Sequence, residues 1–221
     1  KDTKFTVTKV WDNTNRIDNA GKASNTNPAS VTMTLQESSD GGKTWSKANE
    51  TATGETLINP VTYDTTKFNT YTWAGLDPAK TYQVKETSIR GYDTTYGTVS
   101  GSAADKYQQT VTNKYHPTSL TLKKIWSMNG STGTHPASVT FEVYGLSKPN
   151  AKFSPSGNDK PLYTETLKVD SSNTWTDQTL KLDNVDSTLY YYVFETAVDG
   201  QTLEDFEKAY TTYGEGQVSG N

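Results

Sequence analysis

The chain has 221 residues, room for one large domain or two of ordinary size. Only 32% of them are apolar while 11% are aromatic, mostly Tyr, and Thr is abundant, which is the make-up of small β-domains with polar outer faces rather than of a helical enzyme. A net charge of −4 with both signs scattered leaves no basic stripe for nucleic acid, no apolar run approaches a membrane span, and the lack of Cys excludes disulfides, thiolate metal sites and thiol catalysis.

The first predicted strand is "KFTVTKVW" (Lys4 to Trp11). Period two puts Phe5, Val7 and Trp11 on one face, with Lys9 among them. The loop "DNTNRIDNAG" (Asp12 to Gly21) offers oxygen ligands for Ca²⁺ but lacks the spacing of a dedicated loop, so Asx turns are the better reading. "VTMTL" (Val31 to Leu35) alternates as a strand and ends at turn chemistry, "SSDGGKTW". "GLDP" (Gly75 to Pro78) marks another turn. "TYQVKE" follows with Tyr82, Val84 and Glu86 on one face, and "TVTNKY" with Val111, Asn113 and Tyr115 on one face.

After a joint at "KYHPTS" (Lys114 to Ser119) the same order of segments returns. "LTLKKIW" (from Leu120) matches "FTVTKVW", "HPASVTFEVY" (from His135) matches "NPASVTMTLQ", and "VDSTLYYYVFE" (from Val185) matches "LDPAKTYQVKE". The chain thus reads as an internal duplication of a sandwich-sized unit, 1–116 and 117–221. In the second copy "LDNVD" (Leu182 to Asp186) reads as a turn, and "TLEDFEKAY" (Thr202 to Tyr210) as one or two helical turns within an insertion.

Three polar residues therefore fall on apolar faces: Lys9, Glu86 and Asn113. A strand end that lets a long side chain reach water, or an ion pair of small net benefit, explains any one of them. The second copy repeats two at matching positions, Lys124 and Glu195, while Lys123 has the parity of a solvent-facing residue. Gathered in a dry core, such a trio has a chemistry. Burial disfavours both charges, leaving a nucleophilic amine and a carboxyl able to shuttle protons beside an electrophilic carboxamide. Attack by the amine on the carboxamide expels ammonia and leaves an amide bond between side chains. Proximity supplies most of the drive.

The trio and its surroundings, "VTKVWDN" (from Val7), "PASVTMTL" (from Pro28), "YQVKE" (from Tyr82), "GY" (Gly91-Tyr92) and "VTNKY" (from Val111), resemble the B-type repeats of the collagen adhesin family. These CnaB-type domains belong to Gram-positive surface proteins and pilins. The resemblance implies an all-β fold of two tandem inverse immunoglobulin-like β-sandwich domains, with a self-formed isopeptide bond in the first: Lys9 as amine, Asn113 as acceptor, Glu86 as assistant. It implies no cofactor, no metal and no turnover on an external substrate. It also implies an extracellular, cell-wall-anchored setting, with neighbouring repeat domains of the same surface protein as partners. The second copy supplies Lys124 and Glu195, but its last strand reads as truncated or atypical. Asn221 is the one late acceptor candidate, and its strand parity requires a bulge. Otherwise the last strand lies beyond these residues or comes from a neighbour.

The alternative function is a ligand-binding adhesin module that recognises a host matrix protein or glycan through its loops. Trp11 and Trp126 have core parity, whereas Trp45, Trp73 and Trp175 lie in or near predicted turns and are the candidates for exposed platforms. His116 and His135 sit beside prolines in predicted loops, with no local signature of a Ser–His–Asp arrangement. Neither nucleic acid nor membrane is expected as a partner.

Overall fold

A computed structural model describes residues 2–18, 22–124, 136–168, 178–199, 201–202, 209–212 and 218–219. The chain divides into two compact units, residues 1–16 with 24–116, and 17–23 with 117–221. The division departs from the sequence boundary only in the short segment 17–23.

The first unit is built from β1 (Thr3–Asp12), β2 (Ser30–Ser38), β3 (Ser46–Lys47), β4 (Val61–Asp64), β5 (Thr70–Leu76), β6 (Thr81–Glu86), β7 (Tyr92–Tyr96), β8 (Ser100–Ser102) and β9 (Lys106–Tyr115). One sheet has the order β5-β1-β9-β7, with β8 also on β9; the other joins β3, β4 and β6 to β2. Alternation along the strands is what closes the two sheets on each other. Phe5, Val7, Trp73, Leu76 and Val111 come from the first sheet, and Val31, Met33, Leu35, Val61, Tyr82 and Val84 from the second, to form one buried cluster. Each such side chain contributes roughly 1.5–3 kcal/mol on burial.

Strands β1 and β9, the first and last of the unit, are neighbours and run parallel, in register from Phe5 opposite Tyr107 to Asp12 opposite Lys114. A hairpin between β8 and β9 sets where β9 begins. Gly101 makes it feasible: its φ is +92°, and a Cβ there would lie 1.9 Å from the Lys106 carbonyl oxygen, so no other residue fits. Deeper in, Gln109 of β9 ties the two sheets together. Its Oε1 accepts from the Val84 amide at 2.8 Å, and its Nε2 donates to the Gly97 carbonyl at 2.9 Å. Asn59 serves the second sheet similarly, accepting from the Leu35 amide and donating to the Leu35 and Ala48 carbonyls. At the tip after β2, Asp40 accepts from the Lys43 and Thr44 amides, and Gly41 and Gly42 take positive φ.

The second unit comprises β10 (Thr118–Lys124), β11 (Ser138–Leu146), β12 (Tyr163–Lys168), β13 (Gln178–Val185), β14 (Tyr190–Val198), β15 (Gln201–Thr202), β16 (Ala209–Thr212) and β17 (Val218–Ser219). Strands β10 and β13 pair alone, while a larger sheet runs β12-β11-β14-β16-β17 with β15 on β14. Leu120, Leu122, Val139, Phe141, Val143, Val185, Tyr191 and Val193 fill the space between. On the far side of β11 and β14, Tyr144, Tyr192 and Phe194 make a second buried cluster, with Phe153 packed on it.

Three arrangements recur in both units. Asp77 and Asp186 each cap the turn that leads into the Tyr strand, accepting from the Ala79 and Thr188 amides. Five residues on, Tyr82 and Tyr191 each donate a hydroxyl back to the Asp77 and Asp186 carbonyls, at 3.1 and 2.7 Å. Met33 faces Glu86 across β2 and β6 just as Phe141 faces Glu195 across β11 and β14. The units differ in their last strands: β1 pairs with both β5 and β9, whereas β10 pairs, among the described strands, with β13 only.

Two local expectations are corrected. "LDNV" is not a turn but the end of β13; Asn184 takes a single left-handed residue within the strand, with φ of 55°, and the turn begins at Asp186. "TLEDFEKAY" begins in β15 and ends in β16, so Thr202, Ala209 and Tyr210 are strand; its residues 203–208 lie outside the described ones.

Candidate functional site

Period two and the parallel pairing of β1 with β9 together bring the predicted trio into one place. Lys9 stands opposite Val111, and Asn113 follows two residues later on the same face. Such diagonal neighbours are about 7–8 Å apart at Cα, within the span of a lysine side chain reaching across. Glu86, at the end of β6, comes from the facing sheet. All three are buried: Lys9 is 3% exposed, Glu86 9% and Asn113 0%.

The Lys9 Nζ lies 3.8 Å from Glu86 Oε1, with both side chains wholly inaccessible. It donates to the Val10 carbonyl at 2.9 Å and sits 3.9 Å from the centre of the Trp11 ring. Trp11 in turn meets Tyr92 edge-on at 5.0 Å, and Tyr92 donates to Asn13 Oδ1, so aromatic side chains close the outer end of the site.

Desolvation is the leading influence on both charges. Burial lowers the Lys9 amine to about 8, opposed by the Glu86 charge. Burial raises the Glu86 carboxyl, opposed by Lys9, Asn113 and Thr94 in that order. Asn113 is near enough to favour the Glu86 charge, yet neither its Nδ2 nor its Oδ1 makes an aligned hydrogen bond. Glu86 Oε1 likewise has none. A buried carboxamide left bare at both ends is expensive, on the order of 1–3 kcal/mol for each group.

Other residues of the site were not singled out by sequence. Thr94 of β7 lies directly opposite Asn113 and donates to Glu86 Oε2 at 3.4 Å. The Tyr96 hydroxyl accepts from the Glu86 amide at 2.9 Å. The Tyr63 hydroxyl is buried without a hydrogen-bond partner and is pushed up to about 12, by burial first and the Glu86 charge second. The inward run Tyr92, Thr94, Tyr96 was the available signal, masked by how common Thr and Tyr are along the chain.

In the second unit Lys124 Nζ and Glu195 Oε2 are 2.8 Å apart, with side chains 12% and 6% exposed. Lys123 is exposed, as its parity requires. Asn221, Trp126, Trp175 and His135 lie outside the described residues. Strand β17 puts Ser219 opposite Thr211, the place that Asn113 takes opposite Thr94 if "TTYG" is aligned in the two copies.

The exposed-aromatic reading loses Trp73. It lies in β5, opposite Phe5 on β1, is 2% exposed, and donates its indole N–H to the Ile58 carbonyl. Trp45 is half-buried over Gly42. In the Asp12 loop, Thr14 donates both its amide and its hydroxyl to Asp12 Oδ1, an Asx turn, which holds that carboxyl below the ordinary range. His116 Nδ1 lies 3.2 Å from Asp93 Oδ2 at the surface.

No protein-family model matches the chain, and no curated protein matches it. Solved structures do. A single B repeat unit of the collagen binding surface protein of Staphylococcus aureus is 20% identical over 99% of this chain and 96% of that one, with a TM-score of 0.32. The pilus backbone of Streptococcus pneumoniae is 27% identical over 51% of this chain and 33% of that one, with a TM-score of 0.31. The major pilin T-13 of Streptococcus pyogenes is 16% identical over 99% and 91%, with a TM-score of 0.37.

Proposed function

We propose that the first unit forms an intramolecular Lys9–Asn113 isopeptide bond, and that the chain is a structural stalk module of a cell-wall-anchored bacterial surface adhesin or pilus-type protein. The observation that carries this is the Asn113 carboxamide, wholly buried and bare of aligned hydrogen bonds, one strand from a desolvated amine.

The step balances without any co-reactant. The Lys9 Nζ lone pair attacks Asn113 Cγ; the new N–C bond forms, the Cγ–Nδ2 bond breaks, and ammonia leaves. Glu86 passes the amine proton to the departing nitrogen and ends as it began, so it assists without being consumed. The product is a neutral amide, which removes the cost of a buried ammonium. Each Lys–Asn pair reacts once, so this is self-modification and not enzymatic turnover. In this reading the natural partners are neighbouring repeat domains of the same surface protein, outside the cell, and the second unit's Lys124–Glu195 pair belongs to a copy of the same module.

Intact mass is the test. The chain is expected to be one ammonia lighter than its sequence, and Lys9→Ala or Asn113→Ala to restore the full mass. A wild-type chain at its full mass refutes the bond. A loss of two ammonia molecules would mean that the second unit also closes.

A further inference from the structure

We infer that Thr94 decides which oxygen of the Glu86 carboxyl holds the proton during cross-linking, an assignment that rests on the reading just given. Directly opposed residues of an antiparallel pair share a face, so Thr94, half-buried, lies beside Asn113 on the inward face of the sheet. Its hydroxyl donates to Glu86 Oε2 at 3.4 Å. Oε1 is the oxygen 3.8 Å from the Lys9 amine, and it is buried with no hydrogen bond. The two oxygens of one carboxyl therefore stand in different surroundings.

A protonated carboxyl donates from one oxygen and accepts at the other. With Oε2 accepting from Thr94, the acid proton resides on Oε1, beside the amine. Tyr96 fixes the same residue from its main chain, since its hydroxyl accepts from the Glu86 amide. As Lys9 Nζ bonds to Asn113 Cγ, Oε1 delivers its proton toward the carboxamide and takes one back from Nζ, while Oε2 stays on Thr94 throughout. The contact is long for an O–H···O bond at rest and shortens as charge builds on the carboxyl. Thr94 donates to Glu86 and makes no hydrogen bond to the Asn113 carboxamide, so it acts through Glu86 as a positioning residue.

The full chain, freshly translated in a cell-free reaction and quenched at intervals, gives the rate from the fraction that is one ammonia lighter. Thr94→Val keeps the shape and removes the donor; the rate should fall roughly tenfold, the effect of one hydrogen bond lost from the transition state. Thr94→Ser keeps the donor and should react within about twofold of wild type. The Thr94 contact favours the charged carboxyl, so the acid limb of the rate profile should move to higher pH in Thr94→Val. Thr94→Ala must slow the reaction alike, with near-UV circular dichroism recorded on every sample. Equal rates for Val and wild type, or a Ser variant as slow as Val, overturn the assignment. So does slowing confined to samples without a native near-UV signal. If wild type itself stays at full mass, the cross-linking reading fails instead.

Discussion

Lys9 and Glu86 stand 3.8 Å apart and are read as one proton-exchanging pair, so the proposed cross-linking has a specific pH dependence. The reactive form has a neutral amine and a protonated carboxyl, one proton between two groups. It is a tautomer of the ammonium–carboxylate pair, so its population is level while the pair holds one proton. Below the raised Glu86 value the pair holds two protons, the amine is an ammonium, and the rate falls. Above about 8, where Lys9 gives up its proton, the carboxyl has none to deliver, and the rate falls again. Mass-resolved time courses of freshly translated chain should therefore show a plateau with an alkaline limb near 8; a rate that keeps rising to pH 10, about the ordinary lysine range, contradicts it. At this scale the sequence was informative where a residue broke a pattern. Lys9, Glu86 and Asn113 are visible because each interrupts an apolar face. Thr94 interrupts nothing, since a hydroxyl sits equally well on either side of a sheet, and only the register with Asn113 distinguishes it.

Strands and turns were legible for the same reason that they form. Alternation predicts the buried faces of β1, β2, β6 and β9, and Gly-rich Asp turns punctuate them. What misled was turn chemistry inside a strand. The Asp-Asn pair of "LDNVD" is accommodated by one left-handed residue at Asn184, so β13 continues to Val185. Trp73 looked exposed because it is near "GLDP", but the register of β5 on β1 sets it opposite Phe5, and their rings meet edge-on at 6.3 Å. Gln109 is not singled out by the sequence, although period two sets it on the inward face of Val111 and Asn113; its role as a tie depends on the facing strand. Its loss has a definite cost. Gln109→Met leaves the Val84 amide and the Gly97 carbonyl without their bonds, and should lower stability by about 1–3 kcal/mol in urea unfolding. A change below about 0.5 kcal/mol would mean that water replaces both bonds.

On the scale of the molecule, the segments that recur in the sequence fall one set in each unit, and both units have the Asp cap, the Tyr hydroxyl and the Glu register of "LDPAKTYQVKE" and "VDSTLYYYVFE". What the repeats do not convey is the different pairing of β10, because strand order is a property of long-range contacts. The proposed bond joins residues near the two ends of the first unit, closing a loop of about 100 residues, which in the chain-entropy model adds about 4.7 kcal/mol. Asn113→Ala should accordingly melt well below wild type. Equal melting temperatures, with wild type shown by mass to be cross-linked, would mean that the unfolded chain is little constrained by the link.

The parallel run of β1 beside β9 has a mechanical consequence. A chain drawn taut through this unit arrives at the start of β1 and departs from the end of β9, at opposite ends of two adjacent strands. Tension then shears the whole ladder at once and cannot peel it one rung at a time. Bridged by the proposed Lys9–Asn113 bond, the load leaves β1 at its seventh residue and crosses directly to β9. Everything from Val10 to Thr112 is bypassed and stays folded while the strands on either side of the bridge are stretched.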